Sequence, residues 1–224
     1  MEDSEKTSKK NYYMSLNESI AQMKIVFVNA KQPEILAALQ TVGYTETKLD
    51  GLTAELTDLE NLCERQLMEY AEQNAETQRF YEKKDALNAT FITHRNLVKI
   101  IFKNNLQAQV ALNLNAPVKT AYAEWLRMIS NFYSQLSKSA EGKAAVAGIG
   151  ITQPVIDAAL SGIAELTSLK DSQKKETAEA QAATERRDIA FDTLYEKYTD
   201  LMSYAKALLK GNQALEALRI VVKR

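Results

Sequence analysis

The 224-residue sequence contains few of the residues that interrupt regular structure, with only three prolines and seven glycines. Folds built from β-strands need many turns, and proline and glycine are the residues that most often form them. Their scarcity leaves long uninterrupted stretches and predicts an all-α fold. With 46% hydrophobic residues, the chain is long enough to bury a substantial core.

Cysteine and histidine are almost absent, since the chain has one of each, Cys63 and His94. A single cysteine cannot form an intrachain disulfide bond, and the first ten residues lack the apolar core of a signal peptide. We therefore expect a cytoplasmic protein. The single histidine leaves few nitrogen ligands for a transition metal, so we expect no metal site and no cofactor.

The chain also lacks a strong charge and a long apolar run. Its net charge is −1, which gives no global field toward a phosphate backbone, so we expect no nucleic-acid partner. Residues 144–166 form the most apolar stretch, but Gln153, Pro154, Asp157 and Glu165 interrupt it. A membrane-spanning helix needs about 18 or more consecutive apolar residues, so we expect no membrane span.

Two parts of the sequence resemble each other. When residues 43–105 are laid on 150–212 at a constant offset of 107, 17 of 63 positions are identical. The identities include Gly43/Gly150, Asp50/Asp157, Leu59/Leu166, Gln66/Gln173 and Lys99/Lys206. Polar and apolar positions stay in step, which helical low complexity alone would not produce. The pattern indicates an internal duplication.

The similarity extends beyond the long segments. Residues 107–114 echo residues 213–220, and a shorter amphipathic segment precedes each long one. Its apolar face carries Leu16, Ile20, Met23 and Phe27 in the first case, and Tyr122, Trp125, Ile129, Phe132 and Leu136 in the second. We predict a disordered tail over 1–10, a first helical repeat over 11–113 and a second over 114–224. Each repeat is a short helix plus a very long one, and both pack as one elongated, coiled-coil-like bundle.

Apolar residues in the long segments follow a heptad whose phase never shifts. It begins with Leu49, Leu52, Leu56 and Leu59 in the first repeat, and with Ile156, Ala159, Ile163 and Leu166 in the second. The constant phase favours one continuous helix per repeat. Because the middle third is polar, a hairpin near residues 74–78 and 181–185 stays the alternative.

Residues at the expected helix boundaries suit those positions. Thr45 can accept a hydrogen bond as an N-cap, and Pro154 falls in the first turn of the second long helix, where proline is tolerated. The expected ends are Asn104–Asn105 and Gly211–Asn212, because asparagine and glycine tolerate a left-handed backbone.

Four short runs carry a resemblance to other proteins: Ala-Glu-Trp-Leu at 123–126, Gly-Ile-Thr at 150–152, Thr-Glu-Arg-Arg-Asp at 184–188, and residues 214–222. The chain resembles, over most of residues 14–222, a group of uncharacterised bacterial all-helical proteins built on the same tandem plan. The resemblance implies a bacterial, tandem helical protein without an assigned activity, and it carries over no functional residue.

Groups that might carry chemistry have simpler structural interpretations. His94 lies at a heptad d position where the second repeat has Leu201, which favours a core histidine over a metal ligand. Cys63 lies at an a position and favours a structural cysteine over a nucleophile. Glutamates share a helix face in both repeats, Glu69 with Glu72 and Glu176 with Glu179, and an ion-pair stripe is favoured over a metal site. We assign no catalytic, cofactor-binding or metal-binding residue.

Aromatic side chains cluster on the short helix of the second repeat, at Tyr122, Trp125, Phe132 and Tyr133. Packing against the long helices is the simpler interpretation, but their density also makes this the favoured docking surface for a partner. The leading hypothesis is a non-enzymatic helical scaffold or protein-interaction protein with an unknown protein partner, including a second copy of the chain. The alternatives are a membrane-active helical protein of the extended-toxin type, with residues 144–166 as its insertion element, and a metal-dependent helical-bundle enzyme.

Overall fold

A computed structural model describes residues 14–210 and 212–220 of the chain. Within those residues every regular element is an α-helix, as the scarcity of proline and glycine predicts. The helices are α1 (Leu16–Asn29), α2 (Pro33–Gln40), α3 (Glu46–Ile101), α4 (Leu106–Ala111), α5 (Tyr122–Lys138), α6 (Ala140–Ala147), α7 (Gln153–Leu208) and α8 (Asn212–Ala217). The expected disordered tail over 1–10 lies outside the described residues.

Both long helices are continuous, and they have the same length of 56 residues. The prediction that each long segment forms one uninterrupted helix is confirmed, and neither 74–78 nor 181–185 forms a hairpin. The first residues of α3 and α7, Glu46 and Gln153, are separated by the same offset as the two similar sequence segments. The last residues, Ile101 and Leu208, are separated by that offset as well.

Side chains at the expected boundaries begin the helices. Ser15 and Glu18 form a capping box on α1, in which the Ser15 hydroxyl accepts from the Glu18 amide at 3.3 Å and the Ser15 amide donates to the Glu18 carboxylate at 2.9 Å. The Thr45 hydroxyl accepts from the Lys48 amide at 3.3 Å, which confirms the N-cap of α3. Pro154 is the second residue of α7, also as predicted.

Helices α2 and α6 end in the same left-handed turn. Gly43 and Gly150 have φ values of 85° and 84°, which glycine adopts without a Cβ penalty. The amide of Tyr44 donates back to the carbonyl of Leu39 at 3.1 Å, which closes the turn after α2. Helix α4 ends similarly at Asn113, with a φ of 50°.

The predicted end of the first long helix at Asn104–Asn105 needs a correction. Asn105 has an extended backbone with φ −111°, and its side chain accepts from the Ala108 amide at 2.9 Å as the N-cap of α4. Asparagine is common both after the end of a helix and as an N-cap. Because α4 begins at the next residue, Asn105 acts as an N-cap. At the second predicted end, Gly211 lies outside the described residues.

The chain divides into two compact units that do not follow the repeat boundaries of the sequence. The first unit comprises 1–69 and 180–224, and the second comprises 70–179. Each unit therefore combines the beginning of one predicted repeat with the end of the other. Helices α3 and α7 contribute one part to each unit.

In the first unit the two long helices run antiparallel. Lys197 pairs with Glu55 at 2.6 Å, and Arg187 donates to Gln66 at 3.3 Å, so higher numbers on α7 meet lower numbers on α3. The core is mainly aliphatic and collects residues of α1, α2, α3 and α7 together with Leu218.

In the second unit the long helices are again antiparallel. Gln173 donates to Thr77 at 3.3 Å, and Lys83 pairs with Glu165. A Cβ atom added at Gly162 would lie 2.9 Å from Leu87 Cδ2, so the absence of a side chain there permits a close approach of α7 to α3. The core includes Val146, Ile151, Ile156, Ile163 and Leu166, so these large apolar side chains of the 144–166 stretch are packed inside the unit.

Burial follows the heptad along most of both long helices. Leu49 to Leu59 and Phe80 to Val98 supply buried residues on α3, whereas Gln66, Gln73 and Thr77 in the middle are half-buried. Tyr70 occupies an a position of the same heptad but is 54% exposed, because the neighbouring seam positions are polar and offer no apolar space for its ring. Among the described helices, none is long and apolar enough to cross a membrane.

Candidate functional site

Helix α5 holds the four aromatic residues singled out in the sequence, and all four belong to the second unit. Trp125, Phe132 and Tyr133 are buried in its core, and Tyr122 is half-buried beside them. The spacing of these residues places them on the side of α5 that faces α3. The three buried rings therefore pack in the core. Docking of a partner on this cluster stays a prediction, and it would require these rings to become exposed.

Trp125 is fixed by contacts on its polar and apolar sides. Its indole Nε1 donates to the Asn88 side-chain oxygen of α3 at 2.9 Å. Its ring stacks on Tyr122, with centroids 6.3 Å apart and planes inclined by 30°. A buried indole N–H without a partner would be costly, so Asn88 is the residue that lets a tryptophan occupy this place.

His94 lies against Tyr133, and a hydrogen bond of 2.9 Å joins its Nδ1 atom to the tyrosine hydroxyl. Burial lowers the pKa of His94, and burial also raises the pKa of Tyr133. Both groups are therefore neutral near neutral pH. A neutral, enclosed pair suits packing in the core, as the sequence indicates for His94, and does not prepare a proton for transfer.

Lys170 occupies the heptad position that corresponds to Cys63. Its ammonium lies 4.8 Å from the ring centroid of Phe80 and 5.8 Å from that of Tyr122, and it donates to Gln173 at 2.7 Å. The two rings and the amide stabilise a charge at a half-buried position. The lysine is engaged on several sides and is not poised as a nucleophile.

Cys63 is half-buried against the core of the first unit. Burial raises the pKa of its thiol, and this effect outweighs the opposing charge of Arg187. A raised pKa keeps the sulfur protonated and unreactive. This environment matches the structural role that the sequence favours for Cys63.

The glutamates considered as metal ligands have cationic neighbours within their own units. In the first unit Glu69 lies 3.5 Å from Arg65. In the second, Lys175 lies 3.2 Å from Glu179 and 3.7 Å from Glu176. These contacts are of the kind expected for an ion-pair stripe.

Arg95 is a structural residue that the sequence analysis missed. Its Nη2 atom donates to three carbonyl oxygens, those of Asn113 at 3.1 Å, Leu114 at 2.8 Å and Ala116 at 2.5 Å. Burial lowers the pKa of its guanidinium. Arg95 thereby fixes the connector between α4 and α5, and backbone carbonyls as acceptors leave no mark in a sequence.

Surface grooves lie in both units. One of them, in the second unit between α4 and the junction of α5 with α6, holds about 220 Å³. Another, in the first unit, holds about 350 Å³, but three of the four charged residues that line it are already engaged. Lys197 is paired with Glu55, and the Lys48 ammonium lies 3.9 Å above the ring of Tyr44. Neither groove brings together groups that would act on a substrate.

Comparison of the chain with family models, with curated proteins and with solved structures gave no match.

Proposed function

We propose that the chain is a non-enzymatic helical scaffold or protein-interaction protein. The observation that carries the proposal is a pair of large apolar side chains on α3 of the first unit, Leu67 at 66% exposed and Met68 at 64% exposed. The corresponding residues of the second repeat are Lys174 and Lys175, which are ordinary for a solvated helix face. Adjacent large apolar residues in place of lysines favour a surface that a partner covers.

The proposal includes an internal duplication, with repeats over 11–113 and 114–224. Matching lengths support it, because α2 is as long as α6, α3 is as long as α7 and α4 is as long as α8. A matching ring pair supports it further. The centroids of Phe27 and Tyr198 are 6.4 Å apart, and those of Tyr133 and Phe91 at the corresponding positions are 6.5 Å apart. Coiled-coil-like packing of the heptad positions belongs to the same proposal.

A bacterial source and a cytoplasmic location complete the proposal. The resemblance to tandem helical proteins of bacteria supports the first. A single thiol, Cys63, supports the second, because a reducing compartment keeps unpaired cysteines intact.

The test is site-specific photo-crosslinking in living cells, combined with light scattering of the purified protein. A photoreactive residue at Met68 is expected to give a discrete protein adduct, whereas the same residue at Asp58, an exposed charged position of the first unit, is not. Leu67→Ser should abolish the adduct without changing the thermal melt, because the side chain lies in solvent. A strict monomer that yields no adduct at Met68 would refute the proposal.

A further inference from the structure

Acidic residues are missing from one long stretch of the chain. Residues 86–123 contain no aspartate or glutamate, although the chain has 29 acidic residues in 224. At that frequency about five would be expected in a stretch of this length. The same stretch carries Arg95, Lys99, Lys103 and Lys119, so it is locally cationic while the whole chain has a net charge of −1.

Large aliphatic side chains are exposed in the same stretch. On the last turns of α3, Ile100 is 66% exposed and lies on one helix face with Leu97 and Ile101. On α4, Leu106 is 72% exposed and Val110 is 68% exposed, and they share a face because they are one helical turn apart. We name these five residues, with Lys99 and Lys103, the basic apolar surface.

Hydrogen bonds fix α4 to the end of α3. The Gln109 side-chain amide donates to the carbonyl oxygens of Phe102 at 2.9 Å and Lys103 at 2.7 Å. Asn115 in turn donates to the Gln109 oxygen at 2.9 Å. The basic apolar surface is thus built on held elements, and three of its aliphatic residues, Ile100, Leu106 and Val110, are largely exposed there.

The second repeat lacks this surface. Position 100 corresponds to Ala207, and Val110 corresponds to Glu216 when residues 107–114 are matched to 213–220. Lys99 and Lys103 nevertheless have identical counterparts, Lys206 and Lys210. Ile100, Val110 and the loss of carboxylates are therefore particular to the second unit and are not required by the helical architecture.

We propose that the basic apolar surface binds a membrane surface containing anionic lipids. Acyl chains would take up the exposed aliphatic side chains, and lipid phosphates would pair with Lys99 and Lys103. The charge favours lipid over a protein partner, because lysine is depleted at protein interfaces, whereas lysines beside apolar residues pair with anionic lipid. Lys99 and Lys103 lie in a stretch without carboxylates, and Arg95 is engaged with the connector. The inference goes beyond the proposed function and uses different residues.

The test is co-sedimentation of the full-length protein with vesicles. Vesicles of phosphatidylcholine containing about 30% phosphatidylserine should bind the protein at low salt, and pure phosphatidylcholine should bind it at least about tenfold more weakly. K99E/K103E and I100S/L106S should each weaken binding to the anionic vesicles by at least about tenfold. The matched control K206E/K210E makes the same charge change on the second repeat and should bind within about twofold of the unaltered protein.

Four results would overturn the inference. The first is no binding to anionic vesicles, and the second is equal binding to both lipid compositions. The third is an equal loss in K99E/K103E and K206E/K210E, which would indicate a general charge effect. If light scattering instead shows self-association that I100S/L106S abolishes, the surface binds protein and the membrane assignment fails, while the proposed interaction role stands.

Discussion

The two units bury the same positions of their short helices with side chains of different size. Positions of α1 and its C-cap are buried together with positions of α5 that are related to them by one constant offset: Ser19/Trp125, Met23/Ile129, Val26/Phe132, Phe27/Tyr133 and Ala30/Leu136. The second unit has the larger residue in every pair except Met23/Ile129. The shared pattern of burial follows from helical periodicity, and the volume at each position is set by what lies across from it.

The residues of the long helices that lie opposite these positions also differ, and opposite Trp125 the second unit has the smaller residue. Asn88 accepts from Trp125 in the second unit, and the corresponding residue of α7 is the larger Tyr195. His94 bonds to Tyr133, whereas the corresponding first-unit residues, Leu201 and Phe27, are both apolar. At the position of His94 and Tyr133 the second unit thus contains a half-buried polar pair where the first relies on apolar packing. The comparison shows that the same helix positions are buried in both units, while the volume and polarity of the side chains at those positions differ.

The largest loss of stability is expected for a substitution of Phe132, which tests the difference in packing between the two units. Phe132→Ala should lower the free energy of unfolding by about 3–5 kcal/mol, because a large buried ring leaves a cavity. Val26→Ala, at the corresponding position of the first unit, should cost less because fewer buried atoms are removed. Urea denaturation followed by far-ultraviolet circular dichroism measures both, and equal losses would contradict the difference in packing.

The next largest loss of stability is expected for a substitution of Asn88, the polar partner of Trp125. Asn88→Ala should destabilise the protein by about 1–3 kcal/mol, because it leaves the buried indole N–H without an acceptor. Trp125 is the only tryptophan, so its fluorescence follows the second unit directly. Asn96→Ala, at an exposed position of the same helix, is the control and should be nearly silent. Equal effects of the two changes would argue that the hydrogen bond is unimportant.

A smaller effect is expected in the pH dependence of stability, because the single histidine of the chain, His94, lies in the second unit. The pKa of folded His94 is lowered by burial below its unfolded value of about 6.5, so the unfolded chain takes up the proton more readily. The stability that His94 contributes is therefore fully present above the unfolded pKa of about 6.5. It is lost as the pH falls through the lower pKa of the folded state. Melting temperatures between neutral and mildly acidic pH should decline less in His94→Gln, which keeps a polar partner for Tyr133. Identical pH profiles would show that His94 does not contribute.

The smallest effects are expected at two helical glycines. A Cβ atom added at Gly51 would meet no atom within 4 Å, and the residue at the same position of α7 is Ala158. Gly51→Ala should therefore stabilise α3 by about 0.5–1 kcal/mol. Gly162→Ala should gain less or lose stability, because the new methyl group would meet Leu87. Thermal melts of the two variants provide the comparison, and an equal gain at both positions would mean that Leu87 can move aside.

Local sequence signals predicted much of the fold and little of the chemistry. Thr45 and Pro154 mark helix starts, and the unbroken heptad predicts two continuous helices, because caps and periodicity act within a few residues. Arg95 escaped prediction because it binds backbone carbonyls far along the chain. The basic apolar surface also escaped prediction. The net charge is a sum over the whole chain, whereas the charge of a surface depends on which residues lie together on it.

The sequence by itself determined that the chain is helical, where α3 and α7 begin, and which of their residues are apolar. Only the tertiary structure decided that the beginning of each long helix packs with the end of the other. An apolar heptad seam attracts any similar seam, so it does not specify its partner or the direction of packing. The partner is selected by contacts between residues far apart in the chain, such as Gln66 with Arg187 and Thr77 with Gln173, together with the close approach at Gly162.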